Sequence, residues 1–124
     1  MKGVFWNSRG LNDLAKHRRL VELVKENQLD FLALLETGKS EFLPACLRNL
    51  SGGLDYMWHC KPSVGRSGGI LLGINLTMFD IGSVVEGDFF VKFRLRNNVM
   101  VFNGSWWLCM GRPNQSIKII FYWS

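Results

Sequence analysis

The chain has 124 residues, room for one small domain with one core. An apolar share of 48% and a charged share of 20% exclude a disordered polymer, and no apolar run approaches the roughly 20 residues of a membrane helix. The net charge of +5 suggests a polyanion partner, yet residues 1–88 carry ten basic and ten acidic side chains, so the whole excess lies in Lys92, Arg94, Arg96, Arg112 and Lys118.

Gly3–Asn7 reads as a strand, with a turn at Arg9-Gly10. A helix follows from about Asp13 to Asn27, with Asn12 as its expected N-cap. Leu20, Val21, Leu23 and Val24 form its buried stripe, and Lys16, Arg18, Arg19, Glu22, Lys25 and Glu26 face water. Phe31–Leu35 is a continuous apolar run, as in a strand buried on both faces. Strand, helix, strand in this order predicts neighbouring strands joined by a right-handed crossover. That would bring Asn7 and Glu36 to one end of a sheet, where α/β proteins build phosphate and metal sites.

A second helix is expected from about Glu41 to Leu50, with Pro44 in its first turn and Ser51-Gly52-Gly53 as its stop. Tyr56–Cys60 and Ile70–Asn75 read as strands, and Val64–Gly69 as the tight connection between them. Gly68 and Gly69 read as turn residues, since no helix follows them to make a phosphate cradle. Asp88–Arg96 alternates. Phe89, Val91, Phe93 and Leu95 share one face; Phe90, Lys92, Arg94 and Arg96 share the other. This is a half-exposed, antiparallel strand.

The three cysteines, Cys46, Cys60 and Cys109, are an odd count without metal-ligand spacing. They read as reduced, inert apolar residues of an intracellular protein. No apolar leader follows Met1, so the expected address is nucleus or cytoplasm and not secretion. Taken singly, Asn7 would read as a turn cap and Glu36 as a solvated strand end.

Together the motifs say more. Trp6-Asn7-Ser8-Arg9-Gly10-Leu11-Asn12, Leu34-Leu35-Glu36-Thr37 and Gly65-Arg66-Ser67-Gly68-Gly69-Ile70-Leu71 resemble the endonuclease/exonuclease/phosphatase (DNase I-like) family. The match is closest to the endonuclease domain of plant LINE-type (non-LTR) retrotransposons. The resemblance covers residues 1–96 and implies an α/β fold, a partial two-sheet β-sandwich flanked by helices. It implies Mg²⁺-dependent phosphodiester hydrolysis with DNA as substrate. It makes Asn7 the amide at the phosphate and Glu36 the metal ligand. Ser8 stands where the family usually has an aliphatic residue, and Gly38 interrupts an E-T-K element.

The family's Gly-Asp-x-Asn and Ser-Asp-His segments have no counterpart. The histidines are His17, on the charged side of a helix, and His59, in a strand; no aspartate follows Asp88. In-line hydrolysis needs several groups acting together. Asn7 and Glu36 are therefore expected to be vestigial, Mg²⁺ to be held weakly, and DNA to bind weakly or not at all.

Residues 97–124 depart from the family. Read one base out of frame, Trp106-Trp107 must encode valine and Met110-Gly111 must encode glycine. The other junctions permit D-G-F-Q-W-V-L-V-A-V-Y-G-P-A-Q across Val99–Gln115, which resembles the family's next strand and turn. The tail thus reads as frameshifted sequence. The face of Phe89, Val91, Phe93 and Leu95 is then expected to lack its proper cover unless the tail provides it by accident, giving marginal stability and aggregation through strand edges. Two rival readings stand beside the remnant: a small basic nucleic-acid-binding module using Lys92, Arg94, Arg96, Arg112 and Lys118, and an unselected open reading frame.

Overall fold

The structure is a computed structural model that describes residues 2–11, 13–64, 68–77, 81–88, 90–95, 99–103, 107–110 and 118–123. Its first unit is the expected one. Strand β1 (Lys2–Asn7), helix α1 (Leu14–Asn27) and strand β2 (Phe31–Leu35) follow in order, and β2 lies parallel to β1 with Val4 opposite Leu32 and Asn7 opposite Leu35. All five residues of β2 are buried, because both faces of the strand are covered.

Helix α1 is capped by Asp13, whose Oδ1 accepts the Ala15 N–H at 2.8 Å. The cap is thus one residue beyond the expected Asn12, which lies outside the described residues; a carboxylate there caps as well as an amide. Gln28, at φ 48°, ends the helix and donates its N–H to the Val24 carbonyl. Leu20, Leu23 and Val24 are buried, while Val21 is half-buried.

Helix α2 (Pro44–Leu50) is three residues shorter than the expected Glu41–Leu50. Proline suits a first helical turn, but it drives the preceding residue out of the helical region. Leu43 is accordingly extended, at ψ 142°, and the helix cannot grow past it. No side chain caps this end.

Strands β3 (Tyr56–Lys61) and β4 (Ile70–Asn75) complete an antiparallel arm against β2. Strands β5 (Ile81–Glu86), β6 (Phe90–Leu95), β7 (Val99–Asn103) and β8 (Trp107–Met110) form a second sheet, each antiparallel to the next. Strand β9 (Lys118–Trp123) returns to the first sheet and runs parallel to β1, giving the order β3-β4-β2-β1-β9. Strand β5 has no alternation to announce it, and a register shift lies between Ile81 and Ser83. It exists through pairing with β6.

The architecture is α/β: two sheets face to face, with both helices on the outer face of the first. Val4, Trp6, Leu32, Leu34 and Leu71 turn toward Leu20 and Val24 of α1 and Leu50 of α2. Phe5, Phe31, Ala33, Leu35, Leu72 and Ile74 turn the other way, toward Val91 and Phe93 of β6. Period-two alternation along β1 thus feeds two separate cores. Val91 and Phe93 are fully buried, each worth about 1.5–3 kcal/mol. The first sheet covers them, which corrects the expectation of missing cover for Val91 and Phe93. Phe89 lies outside the described residues. Among the described residues no helix is long and apolar enough to cross a membrane.

Candidate active site at the carboxyl ends of β1 and β2

Parallel pairing of β1 and β2 sends both chains out at the same end of the sheet. The ladder continues past the strands. Ser8 N–H donates to the Leu35 carbonyl at 3.0 Å, Gly10 N–H to the Glu36 carbonyl at 2.7 Å, and Leu11 N–H to the Thr37 carbonyl at 3.0 Å. Asn7 and Glu36 therefore occupy adjacent strand ends held in fixed register. Asn7 is half-buried, and its Oδ1 accepts the Arg9 N–H at 3.3 Å. The Glu36 side chain is exposed.

The backbone here is unusual. Arg9 (φ 49°) and Glu36 (φ 51°) are both left-handed without being glycine. Such residues cost of order 1–3 kcal/mol each and persist only where the surroundings impose them. The surroundings do so. The buried Ser8 hydroxyl donates to the Leu35 carbonyl at 2.9 Å, a bond an aliphatic side chain could not make. Lys16 Nζ donates to the Ser8 carbonyl at 2.7 Å and reaches those of Arg9 and Gly10 at 3.4 Å. Lys16 is thus turned inward as an anchor for the loop, not outward to water as its place in the helical pattern suggests. One signal was present in the sequence: a lysine in a first helical turn opposes the helix dipole and calls for another partner.

The glycine motif meets the same end. Thr37 N–H donates to the Gly69 carbonyl at 3.2 Å, and Gly38 N–H to that of Gly68 at 2.9 Å. Gly38, inserted into the E-T-K pattern, sits at φ 67°, a conformation that suits glycine. Thr37 is buried, and its Oγ1 accepts the Lys39 N–H at 3.3 Å. Gly68 and Gly69 act as turn residues that buttress the Glu36 segment.

The histidines are elsewhere. His17 is half-buried on α1. His59 is on β3, two strands from β2, with its ring edge-on to Phe93 at 6.4 Å. Its Nε2 is buried without a hydrogen bond, 3.9 Å from Glu86 Oε1. Among the described residues no three His, Cys, Asp or Glu side chains gather as a metal site. Mg²⁺ takes oxygen ligands and keeps several waters, so Glu36 is a suitable donor. One carboxylate does not hold the ion tightly, and the described residues do not complete a Mg²⁺ site.

Of the basic residues in the last third, Arg94 is exposed and Lys92 half-buried, both on β6. Arg96 and Arg112 lie outside the described residues. Cys46 and Cys60 are free thiols. Burial pushes the Cys60 thiol up from its ordinary range, and the Glu86 carboxylate adds to the effect.

No protein-family model matches the chain, and no curated protein does. Among solved structures the chain is similar to truncated Caenorhabditis elegans TDP2. The identity is 18%, over 86% of this chain and 43% of that one, with a TM-score of 0.43. The chain thus spans less than half the length of that structure.

Proposed function

We propose that residues 1–96 are the N-terminal part of a Mg²⁺-dependent phosphodiesterase domain of the endonuclease/exonuclease/phosphatase type, of plant LINE retrotransposon origin, and that they do not hydrolyse DNA by themselves. The supporting observation is the convergence of the three motifs at one end of the first sheet. Asn7, Glu36 and the Gly68-Gly69 turn are far apart in sequence and are tied together there by backbone hydrogen bonds. Asn7 would position a phosphate, and Glu36 would hold Mg²⁺, which polarises a phosphoryl oxygen when bound. The resemblance assigns a second carboxylate, a second amide and a His–Asp pair to segments not found in this sequence. Without them, water has no base and the leaving oxygen has little stabilisation.

Residues 97–124 are proposed to be out-of-frame sequence. Dense apolar residues readily adopt strands on an open sheet edge, and β7 to β9 fit that account. The gene sequence tests it: one base out of frame, the tail should encode the family's next strand and turn.

Activity is tested on supercoiled plasmid and abasic duplex with Mg²⁺ or Mn²⁺. The expected result is no cleavage. Nicking by the purified protein that Glu36→Ala abolishes would overturn the reading. A DNA affinity that falls steeply with added salt would favour the basic-module alternative.

A further inference from the structure

The opposite end of the first sheet holds a different constellation. A cleft of about 600 Å³ opens where α1 and α2 both end, beside the amino end of β2 and the carboxyl end of β4. That is within the range of small-molecule sites. Val24 and Leu54 give it apolar walls, and Asp30, Ser51, Asn75 and Lys25 supply polar groups. Two of these polar residues are buried, Ser51 at 2% and Asn75 at 7% exposure. The Ser51 hydroxyl already donates to the Arg48 carbonyl at 3.0 Å, so recognition falls to Asn75 and Asp30.

Their hydrogen-bond capacity is directional. Asn75 Oδ1 already accepts the Thr77 N–H at 3.0 Å and the Thr77 hydroxyl at 2.7 Å. Asn75 therefore meets a ligand as a donor, through its amide N–H₂. Asp30 Oδ2 accepts the Lys2 N–H at 2.8 Å, which anchors the carboxylate and leaves acceptor capacity on both oxygens. Asn75 N–H donates to the Asp30 carbonyl at 2.8 Å, so the two residues are locked side by side. A donor beside a carboxylate is complementary to a planar ring carrying a carbonyl next to N–H groups.

We propose that this cleft binds a guanine-type base. Its O6 accepts from the Asn75 amide, its N1–H and N2–H₂ donate to Asp30, and its faces lie against Val24 and Leu54. Adenine presents the opposite pattern, a donor at position 6 and an acceptor at N1, and is rejected. Lys25 stands at the rim, where it meets a phosphate if the base comes as a nucleotide.

The test is titration of the full chain with guanosine, adenosine and xanthosine, followed by backbone amide shifts and calorimetry. Guanosine should move the Asp30 and Asn75 amides and bind at least about tenfold more tightly than adenosine, the effect of leaving charged hydrogen bonds unmade. Asp30→Asn keeps an acceptor for Lys2 but adds a donor. It should lose guanosine and gain xanthosine, whose position 2 is a carbonyl. Equal affinity for guanosine and adenosine, no binding of either, or a guanosine preference that survives Asp30→Asn would overturn the proposal. If Asp30→Asn does not fold, the guanosine-to-adenosine ratio of the unaltered chain decides.

Discussion

Thr37 and Gly69 approach so closely that a methyl group on Gly69 would overlap Thr37 Oγ1. Gly69 also has φ 91°, where side chains are strained. Both facts bear on the turn that supports Glu36. Gly69→Ala should cost more than about 1 kcal/mol in urea unfolding, from backbone strain and overlap together. A neutral result would show that the turn has room the contact distance denies.

Lys16 is the second support of this region. Lys16→Met keeps most of the aliphatic stem and removes the donors to three carbonyls. The expected loss is about 1–3 kcal/mol. Arg18→Met, on the exposed side of the same helix, should fall within about 0.5 kcal/mol of the parent. Denaturant midpoints measured side by side separate the two, and equal effects would sink the anchoring role.

Leu43 is 70% exposed and stands at the uncapped start of α2. Leu43→Ser supplies a side-chain acceptor there and removes exposed apolar surface. It should stabilise the protein by about 0.5–2 kcal/mol, visible as a higher melting temperature. A lower one would mean that the leucine is covered in solution.

Tyr56 donates its hydroxyl to the Leu29 carbonyl. Burial first, and the Asp30 carboxylate second, push its pKa from 10.0 up to about 12. The unfolded chain therefore releases this proton at lower pH than the folded one. The stabilisation is fully present below pH 10 and is lost as pH rises through about 12. Melting temperatures between pH 9 and 12 should fall less steeply for Tyr56→Phe than for the parent. Parallel curves would remove Tyr56 from the alkaline transition.

The parts readable from sequence are those written in short-range patterns. The apolar runs of β1 and β2, the period of α1 and the glycines after Val64 each carry their own signal. Together they predict Asn7 and Glu36 at one end of a sheet. The limits of α2 were also legible in principle, since Pro44 restrains Leu43 through local sterics. What lies beyond reach is set by pairing between distant residues. Strand β5 has no pattern of its own and is made by β6. The cover of Val91 and Phe93 comes from residues some sixty to ninety positions earlier, such as Phe5 and Phe31. Lys16 looks solvent-facing on a helical wheel and turns inward only because the β1 exit presents three carbonyls to it. Asp30 and Asn75 are 45 positions apart and become neighbours through the β2–β4 ladder. Sequence determined that β1, α1, β2 and β6 form elements here, because propensity and period act over a few residues. Tertiary structure decided which polar groups meet, because that depends on register between strands that no local pattern encodes.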